Sequence, residues 1–360
     1  MRLFLSSNFM AEQLISLDEF WSLRDQIPVI DARSEKEFDQ SHIPGSFNIP
    51  ILNNTERIQV GTLYKERGPE EATIKGFELV GPRFHLILKD VLKRFPEKKI
   101  IIYCWRGGMR SHILAWLLGM VGFEIFRLIG GYKTYRTYTF DLVRKDWNLI
   151  VLGGKTGTGK TRLLKKLQDS GEQIIDLERL ANHKGSSFGA IGQPAQPSVE
   201  QFENIFAETL QSLNPAKPSW VENESRKIGR LILPDNFYQQ MLASPFIDIY
   251  KTEKERINLI VKEYASLPQD DLILAVLRIK KRLGGLRTSQ AIQAIVEGNH
   301  SDWISNMLIY YDKAYNFDLD KHAVGKTIQL DLSGIDEDTS TKKLLEAKSQ
   351  LYGKYTDSTD

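Results

Sequence analysis

The feature that most constrains the fold is the stretch "WNLIVLGGKTGTGKTRLLKKL", in which an apolar run meets a glycine-rich loop and a leucine-bearing helix. Residues 154–161 satisfy the pattern G-x-x-x-x-G-K-[ST], between a predicted strand at 148–152 and a predicted helix with leucines on one side. Such a loop binds phosphate because its glycines allow backbone N–H groups to surround the anion. The residues predicted to bind phosphate or diphosphate are Gly154, Gly157, Gly159, Lys160 and Thr161.

The ligand of this loop stays open. Lys160 supplies a mobile cation, and the Thr161 hydroxyl can bind Mg²⁺, which makes Mg²⁺ a candidate cofactor. No strand of the form hhhhD follows, so the hydrolytic machinery of an ATPase is not evident, and a diphosphate ester fits the loop as well as a nucleotide does. Four carboxylates are candidates to hold a metal ion, although each could equally be a solvated strand end. They are Asp176, Glu222, Glu224 and Asp248.

The chain of 360 residues predicts two domains of α/β class, at residues 1–145 and 146–360. Strands alternate with helices in both, which predicts parallel sheets. From Lys254 onward the second domain reads as mostly helical. The predicted strands lie at 27–33, 98–104 and 123–128 in the first domain, and at 148–152, 172–178, 219–224 and 245–250 in the second.

The composition is that of a soluble globular protein, with 41% hydrophobic and 26% charged residues. A net charge of +2 neither demands nor excludes a nucleic-acid partner. A single cysteine forms no internal disulfide, the least charged run at 112–126 is too short to span a membrane, and residues 1–12 lack the apolar core of an export signal. We therefore expect a cytoplasmic protein without a membrane partner, with a disordered tail at 355–360.

The cysteine, Cys104, lies in the loop "YCWRGGMRS" after the apolar run "KIIIY". Arg106 and Arg110 supply cations, two glycines let the backbone curl, and the helix that starts near Ser111 points its positive end at the sulfur. These features favour a reactive thiolate beside a bound anion. The predicted catalytic residues are therefore Cys104, Arg106 and Arg110; the alternative is a buried cysteine that ends a core strand.

This region resembles the rhodanese domain, in which a cysteine on such a loop carries a persulfide. The resemblance extends to "VIDARSEKEFDQSHIPGSFNIP" at 29–50 and to "LIGGYKTY" after the third strand. Cys104 and Arg110 also fit the C-x5-R signature of cysteine phosphatases, but Tyr103 stands where those enzymes usually have histidine.

A rhodanese-like domain followed by a P-loop domain resembles the bacterial tRNA 2-selenouridine synthases over nearly the whole chain. Four stretches carry the likeness in order: "VGTLYKERG", "CWRGGMRS", "GGKTGTGKT" and "VENESRKIGRLILP". The implied fold is a rhodanese-like parallel sheet followed by a P-loop NTPase-like α/β domain with a helical C-terminal part.

The resemblance implies a transferase that converts wobble 2-thiouridine of tRNA to 2-selenouridine through S-geranyl-2-thiouridine. Its implied substrates are geranyl diphosphate, gripped by the P-loop, and selenophosphate, held by Arg106 and Arg110, with Cys104 as the perselenide carrier. The implied partners are tRNA and a selenophosphate-supplying enzyme, and no tightly bound cofactor is expected. The alternative functions are a rhodanese-type sulfurtransferase and a phosphatase-like module with a regulatory nucleotide-binding domain.

Residues with weaker signals include a basic stretch, "RIKKRLGGLR", which would suit tRNA phosphates or be a solvated helix face. Its cations are Arg278, Lys280, Lys281, Arg282 and Arg287.

Several other residues allow both a functional and a structural interpretation. Trp303, Tyr310 and Tyr311 could stack on bases, although helical spacing favours the core. Arg33 could face the cysteine loop or pair with Glu35 or Glu37. Glu224, Arg226 and Arg230 could lie near the P-loop ligand or form structural ion pairs. His42 and His183 lack the spacing of zinc ligands, so we expect no structural zinc site.

Overall fold

The computed structural model describes residues 12–319, 322 and 327–356, with side chains up to 352. The chain forms two compact units. The first contains the residues up to Leu142 together with Glu203–Glu208, and the second contains Val143–Phe202 and the chain from Thr209 onward. The predictions for residues 1–11 and for 357–360 of the tail fall outside the described residues.

The first unit is built on a parallel five-stranded sheet with the order β1-β5-β4-β2-β3. Its strands are β1 (Gln13–Ile15), β2 (Val29–Asp31), β3 (Phe47–Asn48), β4 (Lys99–Tyr103) and β5 (Glu124–Leu128). Its helices are α1 (Leu17–Leu23), α2 (Glu35–Gln40), α3 (Asn54–Arg67), α4 (Pro69–Val80), α5 (Phe84–Arg94), α6 (Met109–Gly119) and α7 (Gly131–Leu142).

Both faces of this sheet are covered, as the alternation along β4 shows. Ile100 and Ile102 pack into one hydrophobic cluster with residues of α5 and α6, whereas Ile101 and Tyr103 pack into another with residues of α1 and α7. A strand buried on both faces reads as a continuous apolar run, which is why "KIIIY" could be predicted. The capping box that starts α1 also forms, since Glu19 N donates to Ser16 Oγ at 3.2 Å.

The second unit is built on a parallel sheet with the order β12-β11-β6-β8-β7 and a separate antiparallel ribbon of β9 and β10. Its strands are β6 (Leu149–Gly154), β7 (Gln173–Ile175), β8 (Ser219–Glu222), β9 (Lys227–Ile228), β10 (Leu231–Ile232), β11 (Phe246–Tyr250) and β12 (Thr327–Asp331). The helices are α8 (Lys160–Asp169), α9 (Leu177–Ala181), α10 (Val199–Gln211, which also supplies the segment assigned to the first unit), α11 (Asp235–Ala243), α12 (Glu253–Tyr264), α13 (Gln269–Arg278), α14 (Lys280–Leu283), α15 (Gly285–Val296), α16 (His300–Leu319) and α17 (Glu337–Thr356).

Two details differ from the prediction. The part after Lys254 is mostly helical but contains β12, which pairs with β11 at the edge of the sheet. The strand predicted at 172–178 ends at Ile175, because the Asp176 carboxylate caps α9 by accepting from Arg179 N at 2.8 Å.

The topology brings the ends of three strands together. β6 lies between β8 and β11, so the loop after Gly154 is flanked by the carboxyl ends of both neighbours. Ligands of open α/β sheets bind at this edge. None of the helices among the described residues combines the length and the apolar character that a membrane span requires.

The turn at Gly131 provides a test of the first unit. Gly131 has φ +57°, and a Cβ there would overlap the Cys104 carbonyl oxygen and lie 2.5 Å from Gly107 N. We therefore expect Gly131→Ala to lower the free energy of unfolding by about 2 kcal/mol or more. Gly76→Ala is the matched control, because Gly76 lies within α4 with no atom inside 4 Å of its added Cβ. This control should be neutral or stabilising. Calorimetric unfolding of the full chain would measure both, and equal stabilities would contradict the prediction.

Candidate functional site

The cysteine loop connects β4 to α6 and rests on the turn that follows β5. Tyr132 N donates to Cys104 O at 2.8 Å, and Lys133 N donates to Trp105 O at 2.9 Å. Gly107 has φ +64°, and a Cβ there would lie 2.8 Å from Leu128 O. The two backbone segments can approach this closely only where side chains are missing, so glycines are required on both sides of the contact.

The sulfur of Cys104 lies beneath this loop. It is 3.2 Å from Ser111 Oγ and 3.8 Å from Gly108 O, and the residue is only 3% exposed. The loop above it is open to solvent, with Trp105 exposed. Within the described chain, the backbone N–H groups of residues 105–108 donate no hydrogen bond. The structure thus combines a buried thiol with a loop that presents free donors to an anion.

The predicted arginines have different environments. Arg110 donates to both carboxylate oxygens of Glu37, at 2.6 and 3.3 Å. Burial raises the pKa of Glu37, but the hydrogen bonds and charge of Arg110 outweigh it and hold that pKa below its ordinary value of 4.5. Arg106 has no ion-pair partner among the described residues and lines an open cavity of about 570 Å³ together with Lys133. The charge of Arg110 is therefore shared with a carboxylate, whereas Arg106 is available to a ligand.

Two further arginines of this unit correct or extend the sequence interpretation. The prediction for Arg33 was wrong, because its Nη2 pairs with Asp31 Oδ2 at 2.6 Å in the core and its guanidinium lies 4.1 Å from the ring centroid of Tyr132. Arg127 was not predicted. Its guanidinium donates to Gly107 O and pairs with Glu12, which fixes the base of the cysteine loop.

The phosphate loop joins β6 to α8 as predicted. Lys160 Nζ donates to Gly154 O at 2.7 Å, so the lysine folds back over its own loop. Thr161 Oγ1 donates to Glu178 Oε2 at 3.2 Å. Gly157 has φ +85°, and a Cβ there would lie 2.9 Å from Arg256 O, which shows how closely α12 approaches the loop.

Arg256 braces this loop from α12 and was missed by sequence analysis. It is 3% exposed; its Nε donates to Thr156 O at 2.8 Å, and its terminal nitrogens pair with Asp312 of α16 at 2.9 and 2.5 Å. A buried guanidinium is stable only when its donors are satisfied in this way. The residue therefore ties the conformation of the loop to two helices.

Carboxylates gather on the other side of the loop. Burial raises the pKa of Glu224 to about 8, and the charge of Glu178 adds to the effect. Burial likewise raises the pKa of Glu178, although the positive charge of Lys160 partly offsets this rise. Burial also raises the pKa of Glu222 well above its ordinary value. Glu222 accepts from Glu178 N at 2.8 Å with one oxygen, while its other oxygen has no partner among the described residues. Asp248 is bonded to the Tyr315 hydroxyl.

The phosphate loop and these carboxylates share one cavity of about 540 Å³. Gly154, Gly157, Gly159, Lys160 and Thr161 all line it, and so do Asp176, Glu178 and Glu224. Leu259, Ile260, Tyr264 and Ala314 also line it, and Ile260 lies directly against Gly157 of the loop. The cavity thus combines a phosphate-binding loop with apolar side chains that lie beside it. Within residues 12–319, 322 and 327–356, no cluster of three or more His, Cys, Asp and Glu is arranged to bind a metal ion.

The predicted tRNA-binding cations are all exposed, but on three short helices rather than one. Arg278 ends α13, Lys280, Lys281 and Arg282 lie on α14, and Arg287 lies on α15. The helices break at Ile279 and at Gly284, which has φ +89°. Arg282 donates to the Tyr310 hydroxyl at 3.1 Å.

The core interpretation is confirmed for Trp303, whereas Tyr310 and Tyr311 are half-buried and pack against the same hydrophobic cluster. Trp303 is buried, and the Tyr311 hydroxyl is 2.7 Å from Ser187 Oγ. Arg226 forms an ion pair with Asp235, and Arg230 bonds to the carbonyl oxygen of Gln196. Of the segment around Glu224, only that residue and its neighbours Asn223 and Ser225 line the phosphate-loop cavity.

The raised pKa of Glu224 predicts how stability depends on pH. The folded state binds a proton at Glu224 that the unfolded chain releases above pH 4.5, so this contribution is complete below 4.5 and is lost as the pH rises through about 8. We expect Glu224→Gln to flatten the profile and to be more stable than the parent protein above pH 8. The exposed Glu346→Gln is the control. Denaturation measured from pH 5 to 9 would test this, and parallel profiles for the parent and Glu224→Gln would contradict it.

Comparison with known proteins assigns both units. The sequence model for "tRNA 2-selenouridine synthase AAA domain" matches residues 147–342, and that for "Rhodanese-like domain" matches residues 16–137. A tRNA 2-selenouridine synthase of Sulfurovum sp. (strain NBC37-1) is 35% identical over 351 residues, which cover 87% of this chain and 94% of that protein. The enzyme of the same name from Hydrogenovibrio crunogenus is 34% identical over 345 residues, with 86% and 92% covered, and that from Bordetella petrii is 36% identical over 336 residues, with 82% and 87% covered. The predicted fold class, a rhodanese-like sheet followed by a P-loop domain with a helical part, is confirmed.

Proposed function

Because this chain belongs to the tRNA 2-selenouridine synthase family, we propose that it converts 2-thiouridine at the wobble position of tRNA to 2-selenouridine by way of S-geranyl-2-thiouridine. The observation that carries the proposal is the pairing, in one chain, of a cysteine loop with free backbone donors and a phosphate loop in a cavity with an apolar wall. These features suit two different phosphorylated donors, selenophosphate and geranyl diphosphate.

In the first step the phosphate loop holds geranyl diphosphate. The sulfur of 2-thiouridine attacks the carbon that bears the diphosphate, and the electron pair of the breaking C–O bond leaves with the diphosphate. Lys160 and the backbone N–H groups of the loop stabilise that leaving charge. The lysine therefore has to exchange its bond to Gly154 O for one to the ligand. Alkylation makes the sulfur a better leaving group for the second step.

Mg²⁺ would be held at this site by the Thr161 hydroxyl and Glu178, which already lie 3.2 Å apart, together with diphosphate oxygens. Its contribution would be to neutralise charge on the leaving diphosphate. Two protein oxygens suffice for that role, because Mg²⁺ keeps several water ligands when it is bound with phosphates.

In the second step the loop over Cys104 binds selenophosphate. The Cys104 thiolate attacks the selenium, and the electron pair of the breaking Se–P bond leaves with the phosphorus as phosphite, so that Cys104 then carries selenium as a perselenide. Arg106 is the available cation, Arg110 contributes from its pair with Glu37, and the N–H groups of residues 105–108 donate to the anion. The outer selenium then attacks C2 of the base, and the C2–S bond breaks with its electron pair leaving as geranylthiolate. Cys104 is the only cysteine in the sequence, so breaking the S–Se bond of a cysteine-bound intermediate requires a thiol from outside the chain.

The proposed cellular setting follows from these substrates. The protein would act in the cytoplasm, on tRNA that already carries 2-thiouridine, and would receive selenophosphate from the enzyme that makes it. The exposed cations between Arg278 and Arg287 are the proposed contacts to tRNA phosphates.

Two substitutions should separate the steps. Cys104→Ser is expected to abolish selenation and leave geranylation largely intact, because transfer of the geranyl group needs no thiol. Lys160→Ala is expected to lower geranylation by a factor of about 10² or more, and to spare selenation of tRNA that is supplied already geranylated. Mass spectrometry of tRNA nucleosides measures both products. Loss of both products in a folded Cys104→Ser protein would contradict this division of labour.

The tRNA-binding role of the basic stretch can be tested by charge removal. We expect the double variant Lys280→Ala/Lys281→Ala to weaken tRNA binding and to lower the slope of log K against log salt by about one for each phosphate that the protein no longer neutralises. The matched control is Lys342→Ala/Lys343→Ala, which removes two exposed lysines from α17. Equal salt slopes for the two double variants would show that the α14 lysines do not bind tRNA.

A further inference from the structure

An open cavity of about 570 Å³ borders the cysteine loop in the first unit, and we call it the α7 groove. Arg106 of the cysteine loop lines it, and so do Lys133, Thr137 and Asp141 of α7. The three α7 residues are spaced four apart, so they lie on one face of the helix, with Asp141 about 12 Å further along its axis than Lys133. The volume falls within the range of about 300–1,000 Å³ that is usual for ligand-binding pockets.

The face of α7 that lines the groove is polar. The opposite face holds the helix in the core through buried residues such as Tyr132 and Leu142. On the groove face, Lys133, Thr137 and Asp141 are exposed. An apolar helix or chain would cover these polar groups without giving them hydrogen-bond partners, which is costly. The groove therefore suits a ligand that carries charge and hydrogen-bonding groups.

Three charged side chains of the groove are available to such a ligand. Within the part of the chain that the structure describes, the side chains of Arg106, Lys133 and Asp141 form neither ion pairs nor hydrogen bonds. The two cations lie on the side of the cysteine loop, since Lys133 N donates to Trp105 O at 2.9 Å. The groove thus offers positive charge beside that loop and a hydrogen-bond acceptor further along α7.

Tyr138 adds an aromatic ring to the groove. The centroid of this ring lies 5.9 Å from that of Trp21 on α1, with an interplanar angle of 52°, and this contact holds the ring in place. Tyr138 is half-buried, so part of its side chain remains accessible. Aromatic side chains in such positions stack on unpaired bases of RNA.

The second step of the proposed function brings RNA to this groove. The outer selenium on Cys104 attacks C2 of a base that stays covalently attached to tRNA. The nucleotides next to that base therefore have to lie against the residues that flank the cysteine loop. Arg106 is one of these residues, and it also lines the groove.

We propose that the α7 groove binds a nucleotide adjacent to the wobble uridine while selenium is transferred. The inference rests on the proposed function and adds an RNA-binding site in the first unit to the basic stretch of the second. Arg106 and Lys133 contact a phosphate, Tyr138 stacks on the base, and Asp141 accepts from a base amino group or a ribose hydroxyl. The carboxylate of Asp141 would repel an acidic peptide, whereas bases and ribose offer it donors.

The test uses the full chain, free selenophosphate and tRNA that already carries S-geranyl-2-thiouridine, with no other protein present. Lys133→Ala is expected to raise the KM for tRNA about tenfold and to lower the slope of log kcat/KM against log salt by about one, because one phosphate contact is lost. Lys133→Arg keeps the cation and should stay within about twofold of the parent protein. Tyr138→Leu removes the stacking ring and should raise the KM about tenfold without changing the salt slope.

Two controls separate tRNA binding from damage to the cysteine loop. Release of phosphite from selenophosphate without tRNA should be the same in the parent protein and in all variants, because loading of Cys104 does not use the groove. Lys89→Ala removes an exposed lysine of α5 that does not line the groove, and it should leave the KM for tRNA unchanged.

The outcomes distinguish this proposal from the proposed function. If Lys133→Ala and Tyr138→Leu leave the KM unchanged while the parent protein forms 2-selenouridine, the groove proposal is wrong and the proposed function stands. If their effects appear only when a selenophosphate-supplying enzyme delivers the selenium, the groove binds that protein and not RNA. If the parent protein forms no 2-selenouridine, the proposed function fails and the groove proposal fails with it. Should Tyr138→Leu not fold, the comparison of Lys133→Ala with Lys133→Arg decides the result.

Discussion

The second unit depends on one buried cation that no sequence motif contains. The guanidinium of Arg256 joins a carbonyl oxygen of the phosphate loop to the carboxylate of Asp312 on α16. Lys155 Nζ of the loop reaches the same carboxylate at 3.4 Å. Removal of Asp312 would leave the buried guanidinium of Arg256 without its carboxylate, which typically costs several kcal/mol. The loop geometry and the placement of α12 and α16 are therefore set together.

Close contacts between backbone segments determine the conformation of both the cysteine loop and the phosphate loop. At Gly131 the turn after β5 touches the cysteine loop, and at Gly157 the phosphate loop touches α12. In each case a single methyl group would separate the segments by more than packing allows. Such close approaches fix where N–H groups point, and oriented N–H groups are what an anion binds. Both sites thus depend on glycines, because the lack of a side chain at these positions allows the close backbone contacts that orient the N–H groups.

Much of the fold could be predicted because its signals are local. Apolar runs such as "KIIIY" and "LIVL" predict strands buried on both faces, and the spacing of the glycines and Lys160 predicts the phosphate loop. Arg256 and Glu178 could not be found in this way, since each meets the phosphate loop only after the chain has folded. β12 was missed because this short edge strand has no buried apolar run, and Arg33 was misassigned because its partner, Asp31, precedes it on the strand.

The depth of the Cys104 sulfur has a consequence for how the protein survives in the cell. A thiol open to solvent is attacked by peroxides and bulky electrophiles. With the sulfur held under its loop beside Ser111, the resting protein shields its only oxidisable thiol. The burial of this one atom therefore protects the protein against oxidation.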